Sequence, residues 1–282
     1  MSSVNADLFS GSNDSQTVQA AIDFAYGQNM KTVELSDRDY IITSKIIVKE
    51  GVKLQFGYGS RFVVYGNFNV IELERGSSLS GAYVAIDDSK FNSAVIYLDG
   101  KYKYYNVWWR SVVQNVTIVN WSESHKGIGV YLYSNGPGHA ISFMDFENIK
   151  IVGMNTAVKL EAVQATSGFS YVNANRFTNF SLDDCVNNIT IIGGETIPYE
   201  CTGNYFTNMQ IQPTSATKKL FIINGQYNFL DGLVWDLASI TATGALVNLT
   251  NKSSVNTFNV KGVPSNRISD KGTSNELNLL FI

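Results

Sequence analysis

Apolar and polar positions alternate in short bursts along most of this chain, and only one stretch has helical spacing. In SNDSQTVQAAIDFAYGQN, residues 12–29, the apolar side chains of Val18, Ala21, Ile22 and Ala25 fall on one face of a helix. Asn13 or Asp14 can cap the first turn and Gly27 can close the last, which predicts a helix over about residues 14–27. Beyond it the pattern changes to runs of alternating or β-branched residues separated by Gly, Asn, Asp and Ser, the mark of short strands.

Those runs repeat. VVQNVTI (112–118), DFENIKI (145–151), RFTNFSL (176–182), YFTNMQI (205–211) and NFLDGLV (228–234) align without gaps. Their second column is Val113, Phe146, Phe177, Phe206 and Phe229, and their fourth is Asn115, Asn148, Asn179, Asn208 and Asp231. A second set alternates with them: GVYLY (129–133), AVKLE (157–161), NITII (188–192), LFIIN (220–224) and ALVNL (245–249). Two or three short strands per unit of this size predict one coil of a parallel β-solenoid. Coils stacked at about 4.8 Å turn each column into a ladder along the axis. The Phe column then stacks inside, and the Asn column sits at a bend with its amides bonded to the next coil. Unequal spacing of the units assigns loops to some coils, the longest at 162–175 and about 193–204. The apolar end, SNELNLLFI, is expected to close the last coil or to join neighbouring copies.

The amino-terminal portion is similar to the opening of the pectate-lyase-like right-handed β-helix proteins. The matching residues are Asp14, Val18, Gln19, Ala21, Ile22 and Asp23 of the helix, then Thr32, Val33, Leu35, Tyr40, Ile42, Gly51, Val52, Leu54 and Gly57 of a first coil. The resemblance implies a single-domain right-handed parallel β-helix over residues 13–282 with a capping helix, preceded by an extension at 1–12. The Asn- and Phe-laddered coils most resemble phage tailspike and preneck-appendage proteins. That likeness implies a trimeric virion tail component that recognises, and in many members degrades, a bacterial surface polysaccharide or teichoic acid. A plain receptor-binding or structural spike is the alternative, because one fold serves lyases, hydrolases and binders.

Composition trims these options. A net charge of −3, from 21 basic and 24 acidic residues, argues against nucleic acid and membrane surfaces as partners. Only 16% of residues are charged, and a surface rich in Asn, Ser, Thr, Tyr and Gly suits glycans. No apolar run opens the chain, so no leader of the usual kind is expected, and none approaches the roughly 18 residues of a membrane span. Two cysteines, Cys185 and Cys201, are too few for a metal cage and read as small buried residues. No metal site, phosphate loop or cofactor fingerprint is expected, and the lack of an Asp cluster for calcium counts against a pectin-type lyase.

Candidate chemistry lies on the repeats. With Phe177 inside, alternation turns Arg176 and Thr178 outward, and one coil earlier Asp145 and Glu147 share that outward face. Carboxylates at i and i+2 are about 6.5–7 Å apart, within the range for acid/base cleavage of a glycosidic bond. In that role Arg176 would hold an anionic group, Tyr205 would offer a stacking face, and the long loops at 162–175 and about 193–204 would border the groove. Asp145 with Arg176 reads equally as a surface ion pair between coils. Asp183 and Asp184, in SLDDCV, resemble a segment of polygalacturonase-like hydrolases, but the Gly138–His139 pair lies upstream of them and no Arg-Ile-Lys follows. Neighbours on a strand point to opposite faces, so this pair reads more simply as a corner. Trp108 and Trp109, in YKYYNVWWRS, offer rings that could line a glycan groove or fill the core. His139 sits in a Gly/Pro turn and reads as incidental or substrate-binding.

Overall fold

The computed structural model describes residues 3–193 and 200–278. It is a right-handed parallel β-helix, in which every strand pairs with the equivalent strand one coil away and all pairings are parallel. One long sheet carries the first set of repeats: Val112–Asn120, Asp145–Val152, Arg176–Asp183, Tyr205–Gln212 and Phe229–Val234 follow one another across it. A second sheet carries the other set, from Ile46–Val48 to Ile268–Asp270. A small third sheet of Tyr104–Tyr105, Ala140–Ser142 and Tyr171–Asn173 fills the corner between them.

The helix Asp14–Gly27 covers the open end of the solenoid, and its motif residues show why. Asn13 accepts from the Gln16 amide and so caps the helix. Asp14 accepts from the Ile41 backbone N–H at 2.7 Å, Ser15 from Thr43 at 2.9 Å, and Gln19 brackets Ile47 with one bond to its N–H and one from its own amide to the carbonyl. These bonds satisfy groups that an uncapped coil would leave exposed. Val18, Ala21, Ile22 and Ala25 are buried beneath, as their spacing predicts. The segment expected as an extension contributes too: Ser3–Asn5 pairs with Thr32–Glu34, and Ala6 is buried. The apolar end beyond Asn278 and the loop at 194–199 lie outside the described residues.

Inside, Phe146, Phe177 and Phe206 form a stack, with centroids 4.8 and 4.2 Å apart and ring planes within 8° and 4°. These spacings bracket the strand-to-strand distance, so the coil repeat imposes a face-to-face geometry that free aromatic rings do not favour. The column continues through Leu79 and Val113 below and Leu230 and Phe258 above. Here the fifth repeat departs from the gapless alignment by one residue. Leu230 takes the interior position, Phe229 pairs with Tyr205 on the outer wall, and Asn228 turns inward and is buried. A register shift after Phe206 brings Gly232 opposite Met209, where a Cβ would come within 2.5 Å of the Met209 carbonyl oxygen. The fifth member of the second set shifts likewise, with Phe221 opposite Val247.

The expected Asn ladder is present at the bend. Asn148 donates to Asn115, Asn179 to Asn148 and Asn208 to Asn179, at 3.2, 3.0 and 2.6 Å, and all four have φ between 55° and 58°. A second ladder, which the repeats did not reveal, runs through Asn175, Asn204, Asn228 and Asn256, each at most 1% exposed. Each amide donates to a carbonyl of an earlier coil and to the side-chain oxygen of the next Asn, whose oxygen also accepts the backbone N–H. Cys185 and Cys201 are both free and buried, and burial pushes the Cys185 thiol up to about 12.

Candidate functional site

The outward wall bearing Asp145 and Arg176 has a cleft of about 570 Å³. Strand pairing puts Val112, Asp145, Arg176 and Tyr205 in one column and Gln114, Glu147 and Thr178 in the next. Asp145, Glu147 and Arg176 line the cleft together with Trp109, Arg110, Gln114 and Phe143. Its rim comes from the 106–111 turn of the preceding coil, whereas the loops at 162–175 and 200–204 do not line it, contrary to the long-loop expectation. Asn106 holds this turn: it is buried, donates to the Ser111 carbonyl and accepts from the Ser111 N–H. The turn thereby presents Trp109 over Gly76, with the Arg75 guanidinium 6.0 Å from its ring, and leaves Trp109 41% exposed. Trp108 projects further, at 80% exposure, and does not line the cleft.

Asp145 is engaged. Arg176 grips it at both oxygens, Nε to Oδ1 at 2.6 Å and an Nη to Oδ2 at 3.2 Å. At this exposure the pair adds roughly 0–1 kcal/mol to stability, but it leaves Asp145 with a fixed cationic partner and Arg176 with a fixed anionic one. Glu147 and Arg110 are exposed and hold no ion pair among the described residues. Tyr205 stands one coil beyond Arg176, stacked on Phe229 at 5.4 Å. His139 is half-buried in the turn leading to Ala140–Ser142, with its Nδ1 buried and unbonded, and lines neither this cleft nor the next.

Asp183 and Asp184 are a corner, and Asp184 has a positive φ of 52°. Burial, then the neighbouring Asp184 charge, push the Asp183 carboxyl above the usual range. Asp184 does more than turn the chain. Its Oδ2 lies 2.8 Å from Nε2 of His125, and its Oδ1 accepts from the Thr214 hydroxyl at 2.5 Å. His125 and Asp184 border a second cleft, of about 480 Å³, with Trp121 and Glu123. Sequence reading missed this group because its members come from different coils. The one available signal was that His125 is the other of only two histidines and follows Trp121 and Glu123 in WSESH. Among the described residues no cluster of three His, Cys, Asp or Glu could hold a metal ion, and no helix is long and apolar enough to cross a membrane.

No family model matches the chain, and no curated protein matches it in sequence. Solved structures do resemble it in fold. A tailspike protein variant of the E. coli bacteriophage HK620 in complex with a pentasaccharide matches with 12% identity and a TM-score of 0.46, over 100% of this chain and 67% of that one. PfbA, a surface adhesin of Streptococcus pneumoniae, matches with 10% identity and a TM-score of 0.36, over 98% and 91%. The A-module of the Azotobacter vinelandii mannuronan C-5 epimerase AlgE4 matches with 11% identity and a TM-score of 0.29, over 98% and 97%.

Proposed function

We propose that this protein binds a saccharide polymer of a bacterial cell surface, with the cleft between Trp109 and Glu147 as its primary contact. One observation carries the reading: a partly exposed indole stands beside Arg110 and Glu147, polar groups without ion-pair partners among the described residues. An aromatic face takes up the apolar C–H surface of a sugar ring, and a few convergent polar groups orient its hydroxyls. The resemblance of the Asn- and Phe-laddered coils to tailspike and preneck-appendage proteins supports a setting on a phage tail spike or appendage, as a homotrimer. Binding to extracted surface polymers, read by calorimetry, tests the proposal. Trp109→Ala should lower affinity by roughly tenfold with melting unchanged. Equal affinity in the variant would remove the cleft.

Cleavage is the second reading, favoured by the shared face of Asp145 and Glu147. The Arg176 grip on Asp145 weighs against it, since a general acid must exchange its proton with substrate. Release of oligomers detected by mass spectrometry, lost in both Asp145→Asn and Glu147→Gln, would establish depolymerisation. Binding without release would leave a receptor-binding spike.

A further inference from the structure

A third cleft, of about 590 Å³, lies between the two already described, bounded by Tyr58, Tyr83, Asn115 and Thr117. The strand Val112–Asn120 borders all three in succession: Val112 and Gln114 line the first, Asn115 and Thr117 the middle one, Val119 and Asn120 the last. We infer that the three clefts form one binding track, in which a linear, neutral saccharide chain lies along this strand and runs around the coil instead of following the solenoid axis. The inference rests on the saccharide-binding reading and adds the polymer class and its path.

Each cleft has its own aromatic face. Trp109 serves the first, Tyr83 the middle and Trp121 the last. Tyr83 is fixed opposite Thr117 by strand pairing, and its ring lies 6.3 Å from Trp121. The two tryptophans are matched, each backed by an arginine of an earlier coil: Arg75 at 6.0 Å from Trp109 and Arg61 at 5.7 Å from Trp121. Between the rings the floor is low, because Gly57, Gly81 and Ala82 put no long side chain into the path. The strand has nine residues, about 30 Å at roughly 3.3 Å each, enough for several sugar rings in a row. Its αL residue, Asn115, bends the path around a corner midway.

Charge selects the polymer. Arg110 and Arg176 line the track against Asp145, Glu147, Glu123 and Asp184, and the middle cleft has no charged side chain. An acidic excess repels a polyphosphate chain and tolerates a neutral one. At the far end Nε2 of His125 lies 2.8 Å from the Asp184 carboxylate, which leaves Nδ1 of the ring to meet a sugar hydroxyl.

The test starts with an array of neutral, amino-sugar and phosphate-bearing bacterial glycans. A size series of the best neutral glycan, from disaccharide upward, is then titrated against wild type, Trp109→Ala and Trp121→Ala, with melting curves as folding controls. Affinity should rise with chain length, and Trp121→Ala should cost roughly tenfold on long chains and nothing on the shortest. If Trp109→Ala weakens binding while Trp121→Ala is silent at every length, the track is wrong and the single-cleft reading survives. Strongest binding to phosphate-bearing glycans would overturn the neutral assignment. Failure of every glycan to bind would remove both readings.

Discussion

Two ladders of asparagine run up this molecule, and they hold the chain in opposite ways. On the outer bend Asn115, Asn148, Asn179 and Asn208 are exposed, and each is itself the residue with positive φ. Their amides bond to one another across coils and leave the backbone alone. In the buried ladder the left-handed residue is the one before each asparagine: Ala174, Gly203, Tyr227 and Val255, ahead of Asn175, Asn204, Asn228 and Asn256, and the half-buried Asn275 that follows them has Ser274 before it. There the amides bind backbone carbonyls and N–H groups of adjacent coils. The first ladder uses what asparagine prefers locally, since its short polar side chain tolerates the αL region. Apart from Gly203, the second forces that region on residues that avoid it, even β-branched Val255, because the alternative is a set of unpaired buried polar groups.

The comparison can be broken by substitution, with stability read from denaturant unfolding. Asn204→Ala should cost most, about 3 kcal/mol or more, because it strands the Val172 carbonyl and the backbone and side-chain N–H groups of Asn175 in a dry interior. A loss below about 1 kcal/mol would mean that water enters the corner and the ladder is not what holds it. Asn179→Ala should lose only about 1–2 kcal/mol, since its amide partners are solvated and the penalty is the αL backbone. Val255→Gly sharpens the contrast by its sign. Val255 is 42% exposed and its φ is 53°, so relief of strain should outweigh the lost side chain and raise stability by roughly 0.5–1 kcal/mol. Asn179→Gly should change stability least, within about 0.5 kcal/mol, because glycine keeps the bend without the amide. A large loss there would show that the exposed amide ladder matters more than its backbone conformation.

The same division separates the two ends of the track. Asp145, Glu147 and Arg176 could be placed on one wall from sequence, because strand alternation and a gapless repeat carry orientation from coil to coil. That Arg176 grips Asp145 at both oxygens was legible only as a possible ion pair. The cleft rim was misplaced: long loops suggested 162–175, whereas the 106–111 turn held by Asn106 forms it. His125 and Asp184 were invisible as a pair, because they meet across a corner, 59 residues apart in the chain.

The repeats by themselves determined the solenoid, the inward Phe column and the outer Asn bends, since each follows from alternation and from a local preference repeated at a nearly fixed interval. The capping helix was equally legible, because its apolar spacing and polar cap are contained in a few consecutive residues. Tertiary structure decided the fifth repeat. NFLDGLV matches its predecessors with Phe229 inside, yet bonds from Asn204 to Asn228 and from Asn228 to Asn256 draw Asn228 inward and slide Leu230 into the core. An apolar side chain is accepted by any interior slot of suitable size, whereas a buried amide has few places where all its bonds can be made. The buried asparagine therefore set the register, and the hydrophobic pattern followed it.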